Sequence, residues 1–278
     1  MSQYYNAKRK SGFYTPGSNE PFKLSRSKID LFIECPRCFY VDRRLGVGRP
    51  PGFPFNLNSA VDALLKKEFD THRKRSEPHP LMSTYNIDAV PMAHDNIEIW
   101  RDVFKGIAYY HKPTNFHVYG AIDDVWVNPK GELHIVDYKA TSKDAEVTLD
   151  AEWQMGYKRQ MEIYQWLFRQ NDFKVSKTGY FVYANAGRDK AAFDGVLEFK
   201  VTIIPYIGSS DWVDRTLKDA KETLDADAIP DASPECDYCA YRNAAVEVIR
   251  GANAKKEIAK PTATAVSTRK KKEKNTLF

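Results

Sequence analysis

Apolar residues along the chain repeat with helical spacing in four stretches and cluster with strand character in five. The segment LSRSKIDLFIECPRC presents Ile29, Phe32 and Ile33 on one side; Ser27 can cap this helix, with Asp30 closing a capping box, and Pro36 bends or ends it. NLNSAVDALLKKEFDTHRKR carries Val61, Leu64, Leu65 and Phe69 as a stripe, and DAEWQMGYKRQMEIYQWLFRQ is a long helix. SSDWVDRTLKDAKETLDA repeats Trp212, Leu217, Ala220 and Leu224. The stretches VFKGIAYYH, HVYGAIDDVWV, ELHIVDYKA, TGYFVYAN and GVLEFKVTIIPY are rich in aromatic and branched residues and read as strands. Residues 46–55 and 74–96 read as loops. Helices mixed with strands predict an α/β or α+β fold with a central sheet flanked by helices.

Composition adds the domain plan. Residues 1–22 form an irregular arm, 23–250 one domain, and 251–278, ending in RKKKEKNTLF, a disordered basic tail. The net charge of +5 permits a polyanionic partner without requiring one. No run approaches the roughly 20 apolar residues of a membrane span, and the first residues lack the apolar core of a signal peptide, so the chain reads as cytoplasmic with no membrane partner. The four cysteines form two C-x-x-C pairs, Cys35/Cys38 and Cys236/Cys239, which in that compartment suit metal or cluster ligands better than disulfides.

One strand raises a question of charge. In HIVDYKATSKD, Asp137 and Lys139 lie two residues apart and continue the face of Leu133 and Ile135, which points inward. The turn NPKG precedes this strand. If Asn128 pairs with Glu132, Asp123 falls opposite Asp137; a bulge at Gly131 would make the contact diagonal. Opposed carboxylates repel unless a hard cation joins them, and Mg²⁺ favours one or two carboxylates with water and phosphate oxygens. A lysine beside them can orient or deprotonate a water, or stabilise charge on a phosphate. The alternative is a surface hairpin bearing ordinary solvated charges.

The segment YGAIDDVWVNPKGELHIVDYKAT resembles the core of the PD-(D/E)XK nuclease superfamily in its RecB-like branch, with Gly120, Ile122, Asp123, Asp137, Tyr138 and Lys139 matching position by position. The resemblance implies a restriction-endonuclease-like fold and an Mg²⁺- or Mn²⁺-dependent deoxyribonuclease acting in repair, recombination or defence. Asp123, Asp137 and the Tyr138 carbonyl would bind the metal, and Lys139 would assist the attacking water. It also implies roles for Gln160 and Tyr164, a Gln-x-x-x-Tyr pair that holds the substrate strand or braces the lysine. Where the branch carries Gly-x-x-x-His on an upstream helix, this chain has Asn58 and Asp62; Asp62 can serve as a further hard ligand.

CRISPR-associated RecB-like exonucleases and the AddB nuclease domain hold a 4Fe–4S cluster with one cysteine before the core and three after. Here the last of those positions falls near Ala245, and Cys38 can supply the fourth ligand. The resemblance favours the cluster at Cys35, Cys38, Cys236 and Cys239, while the two-plus-two spacing also suits tetrahedral zinc. DNA is the implied partner. The chain has no G-x-x-x-x-G-K-[ST] motif, so any unwinding would come from a helicase partner. Two other readings stay open: a non-catalytic nucleic-acid-binding module, and a zinc-stapled structural subunit.

Overall fold

The computed structural model describes residues 8–52 and 55–258. The chain divides into two compact units, Met1–Pro234 and Glu235–Phe278. The first holds, in chain order, β1 (Phe22–Ser25), α1 (Arg26–Glu34), α2 (Pro36–Arg43), α3 (Asn56–Arg75), α4 (Pro80–Thr84), β2 (Val90–Pro91), α5 (Ile97–Arg101), β3 (Ile107–His111), β4 (Phe116–Gly120), β5 (Asp124–Val127), β6 (Leu133–Thr141), α6 (Met155–Gln170), β7 (Thr178–Ala186), β8 (Phe199–Ile207) and α7 (Val213–Asp225). Its strands form a three-stranded sheet, β1-β4-β3, and a five-stranded sheet, β2-β5-β6-β7-β8. β6 and β7 run parallel, a pairing that needs a crossover, and α6 supplies it; the other pairs of the larger sheet are antiparallel. This is the expected mixed α/β architecture of restriction-endonuclease-like proteins. In the second unit α8 (Asp237–Ile258) runs past Gly251, where the basic tail was expected to start; the rest of that tail lies outside the described residues. No described helix is long and apolar enough to cross a membrane.

The alternation of β6 divides the core. Leu133 and Ile135 are buried in one apolar cluster with Ile163 and Leu167 of α6, while Val136 and Tyr138 join the other, with Leu65 and Phe69 of α3. Phe69 stacks on Trp126 at 5.4 Å and on His79 at 4.3 Å, locking α3 to the sheet. Asp137 follows Ile135 on the α6 side and is fully buried, so the inward face expected from the sequence is present.

Several local expectations need correction. HVYGAIDDVWV is not one strand: β4 ends at Gly120 in the small sheet and β5 starts at Asp124 in the large one, with Ala121–Asp123 crossing between them. β3 begins only at Ile107, because Gly106 before it turns with φ +63°. α1 starts at Arg26 with Ser25 as its N-cap and no side-chain capping bond; the Ser25 and Ser27 hydroxyls pair with each other at 3.0 Å, and Asp30 is bound to Arg159 of α6. Pro36 opens α2 at its first turn, where its missing N–H costs nothing. Leu64 and Ile33 are exposed: each sits at the margin of a helix stripe narrower than the apolar pattern suggested. The stretch 74–96 contains α4 and β2.

Candidate active site

The hairpin β5–β6 has the register expected from its turn. The Asn128 N–H donates to the Glu132 carbonyl at 3.1 Å, and the paired residues run from Val127–Leu133 to Asp124–Val136. Gly131 adopts φ +72°, and the Asn128 side-chain oxygen accepts from the Lys130 and Glu132 N–H groups at 3.0 and 2.9 Å. One further step would oppose Asp123 to Asp137, and there the ladder gives way to a side chain: Asp123 Oδ2 accepts from the Tyr138 N–H at 2.9 Å. In a strand the N–H and C=O of one residue turn to the same side, so the Tyr138 carbonyl faces the edge occupied by Asp123.

Around Asp137, α6 delivers Gln160, whose amide donates to Asp137 Oδ1 at 2.8 Å and lies 3.3 Å from the Tyr164 hydroxyl. The glutamine thus braces the acid rather than the lysine. Lys139 is ion-paired with Asp137 and lies over the Tyr157 ring, 4.4 Å from its centre. Burial pushes the Asp137 carboxyl up to about 6; Lys139 opposes that shift and Asp123 adds to it. Burial also works against the Lys139 ammonium, but Asp137 and Asp123 outweigh it and raise its pKa, so Lys139 stands as a cation. The Asp137 carboxylate is therefore costly in its charged form and gains from an added cation.

Asp62, on α3, lines the same cleft of about 400 Å³ as Asp123, Asp137, Tyr138, Lys139 and Gln160. Its carboxyl is shifted up, by burial first and then by Asp123. Asn58, one turn earlier, donates to the Ala140 carbonyl at 3.3 Å and pins α3 to β6. All the acids expected to hold a metal are thus brought to one cleft. Two cations escaped the sequence reading. Lys66 lies 2.8 Å from Asp62 and 3.1 Å from Asp123. Arg26, at the start of α1, lines the cleft, and its buried Nε has no hydrogen-bond partner among the described residues. Lys66 could have been flagged by its i, i+4 spacing from Asp62; nothing local marks Arg26.

Beneath the cleft the second acid of the Asp123–Asp124 pair does something different. Asp124 is fully buried, bonded to Arg73 and Tyr138 Oη, and 3.4 Å from Arg101. Arg101 also donates to the Asp123 carbonyl at 2.9 Å and to Asp70 at 2.9 Å, so the network anchors the backbone that presents Asp123. Tyr138 turns its ring to this side, leaving only its backbone to the cleft.

Two sequence motifs interlock at Gly120. A Cβ there would meet Tyr164 Cε1 at 2.6 Å and Arg26 Cβ at 3.2 Å, so the glycine lets the tyrosine of α6 lie against the end of β4. Gly120→Ala is expected to lose about 1–3 kcal/mol by overpacking, read from the denaturant midpoint; in a Tyr164→Leu background the loss should shrink, because the two sites share one contact.

The cysteines have a common local form. Cys35 immediately precedes α2 and Cys38 lies in its first turn; Cys236 precedes α8 and Cys239 lies in its first turn. Among the described residues the four supply a thiolate donor set able to hold a metal.

A family model described as the PD-(D/E)XK nuclease superfamily matches residues 23–244. The chain belongs to this superfamily. Superfamily membership brings nuclease-type hydrolysis and nucleic-acid interaction in general terms. Among solved structures the chain is similar to one titled "Crystal structure of SSO0001", at 15% identity with a TM-score of 0.34, covering 77% of this chain and 81% of that one. No curated protein matches.

Proposed function

We propose that the protein is a metal-dependent deoxyribonuclease of the RecB-like type that hydrolyses phosphodiester bonds in DNA. The observation that carries this reading is the meeting of Asp123, Asp137 and Lys139 in one cleft, with Gln160 on Asp137. The donor set fits a hard divalent ion: carboxylate oxygens of Asp123, Asp137 and Asp62, the Tyr138 carbonyl, and a lysine ammonium already standing between two of the acids as a substitute cation. Bound there, Mg²⁺ or Mn²⁺ supplies Lewis-acid polarisation of a phosphate oxygen and activation of water. The protein's own groups do the rest. Gln160 fixes Asp137. Lys139, held as a cation, stabilises negative charge developing on the phosphate instead of removing a proton from water. Arg26 offers a cation to a neighbouring phosphate. The expected result is hydrolysis of labelled DNA with Mg²⁺ or Mn²⁺ that stops when a chelator removes the metal. Hydrolysis undiminished by the chelator would sink the reading.

The four cysteines supply four thiolates, a donor set that fits an iron–sulfur cluster and also tetrahedral zinc. The cluster that the resemblance implies is the reading we adopt. Protein purified anaerobically should be brown and contain iron; zinc alone by elemental analysis would overturn the cluster in favour of a zinc staple.

A further inference from the structure

Lys66 belongs to none of the motifs that define the cleft, yet it bridges two of its acids. Its Nζ is 2.8 Å from Asp62, one turn earlier on α3, and 3.1 Å from Asp123, which arrives from a different element. The side chain is only 22% exposed, so this is not a solvated surface pair. We propose that Lys66 is a built-in counter-ion exchanged for metal: it neutralises Asp62 and Asp123 in the metal-free protein and withdraws when a divalent ion takes the same carboxylates. The inference rests on the metal-dependent reading above.

Lys66 and a divalent ion on the same carboxylates exclude each other. An ammonium in contact with both carboxylates and a divalent cation bound by both would lie close together in a partly desolvated site, where like charges repel strongly. Removing Lys66 without a replacement would leave two acids facing each other, which is unfavourable for the same reason. The site is therefore stable with either cation and not with both. The exchange needs space, and the structure provides it. A second cleft of about 390 Å³ lies beside Lys66, lined also by Ser25, Ser27 and Tyr119, and it shares Arg26, Asp62, Asp123 and Gln160 with the first. A long unbranched side chain can turn into that space by rotation about its own bonds, with α3 unmoved.

The test is Mn²⁺ binding to the full chain by titration calorimetry, the site being identified as the one lost in Asp123→Ala. Lys66→Met keeps the apolar stem and removes the charge; it should bind Mn²⁺ about tenfold more tightly than wild type, and its metal-free form should melt at a lower temperature than metal-free wild type. A second measurement uses the wild-type lysine and so does not depend on that variant folding. With ¹³C-methylated lysines, the Lys66 resonance, assigned by its loss in Lys66→Arg, should shift on addition of Mg²⁺ with the same midpoint as binding. Equal or weaker Mn²⁺ binding by Lys66→Met, or a Lys66 resonance that stays still while Mg²⁺ binds, overturns the exchange alone. If neither wild type nor Lys66→Met binds an ion that Asp123→Ala loses, the metal reading falls and the exchange with it.

Discussion

Asp124→Ala is expected to destabilise the protein by about 3–5 kcal/mol and to lower its melting temperature by roughly 6–20 °C. Asp124 is completely buried and is the shared acceptor for Arg73, Arg101, Tyr138 Oη and its neighbour's N–H, the last at 2.8 Å. Removing the carboxylate leaves two buried guanidinium groups and a buried hydroxyl short of their common acceptor, and an uncompensated buried charge is among the costliest defects a fold can carry. Asp70 keeps part of the guanidinium charge paired, since it lies 2.9 Å from both Arg73 and Arg101, and this places the loss at the lower end of the range. The adjacent acid behaves differently. Asp123 is partly exposed, facing Lys66 and one backbone N–H, so Asp123→Ala should melt close to wild type. Calorimetric melting of the two variants checks the contrast. Equal melting temperatures would mean that the arginine network does not hold the crossing between the two sheets.

Lys139→Ala should reduce DNA cleavage by about 10²- to 10³-fold and leave the fold intact. The lysine contributes a buried cation beside the reacting centre, where electrostatic stabilisation is worth most. Its removal does not strand a charge, because Asp137, already pushed up to about 6 by burial, can take up a proton and keep its bond from Gln160. Turnover of labelled DNA, with far-ultraviolet circular dichroism as the control for folding, separates the two effects. Wild-type-like cleavage by Lys139→Ala would falsify its assignment.

How much of this was legible in the chain differs by distance along it. The hairpin could be read to the residue, since the turn NPKG and the short separation of its strands fix the register, and that register sets Asp123 one step past the last pair, Asp124–Val136, on the Tyr138 N–H beside Asp137. α3 was also legible from its apolar stripe, Val61 to Phe69, with no Gly or Pro between Asn56 and Arg75. The break between β4 and β5 was not. The apolar pattern continues through Gly120–Asp123, while the contacts made at the crossing, Tyr164 against Gly120 and Arg101 on the Asp123 carbonyl, come from residues distant in sequence. Adjacent acids likewise look alike in sequence; what distinguishes them is that Arg73 and Arg101, both distant in sequence, converge on Asp124 alone. Lys66 shows only half its role in the i, i+4 spacing from Asp62, since its second acid, Asp123, comes from another element, and nothing local marks Arg26.

Metal-dependent cleavage is decided by one paired measurement on wild type and Asp137→Asn, with labelled single- and double-stranded DNA in Mg²⁺ and in Mn²⁺. Cleavage and binding should be followed in the same samples. Wild type should cleave with at least one of the two metals, and Asp137→Asn should bind DNA without cleaving it. Binding by wild type with no cleavage in either metal would contradict this and make the protein a nucleic-acid-binding module on a nuclease fold.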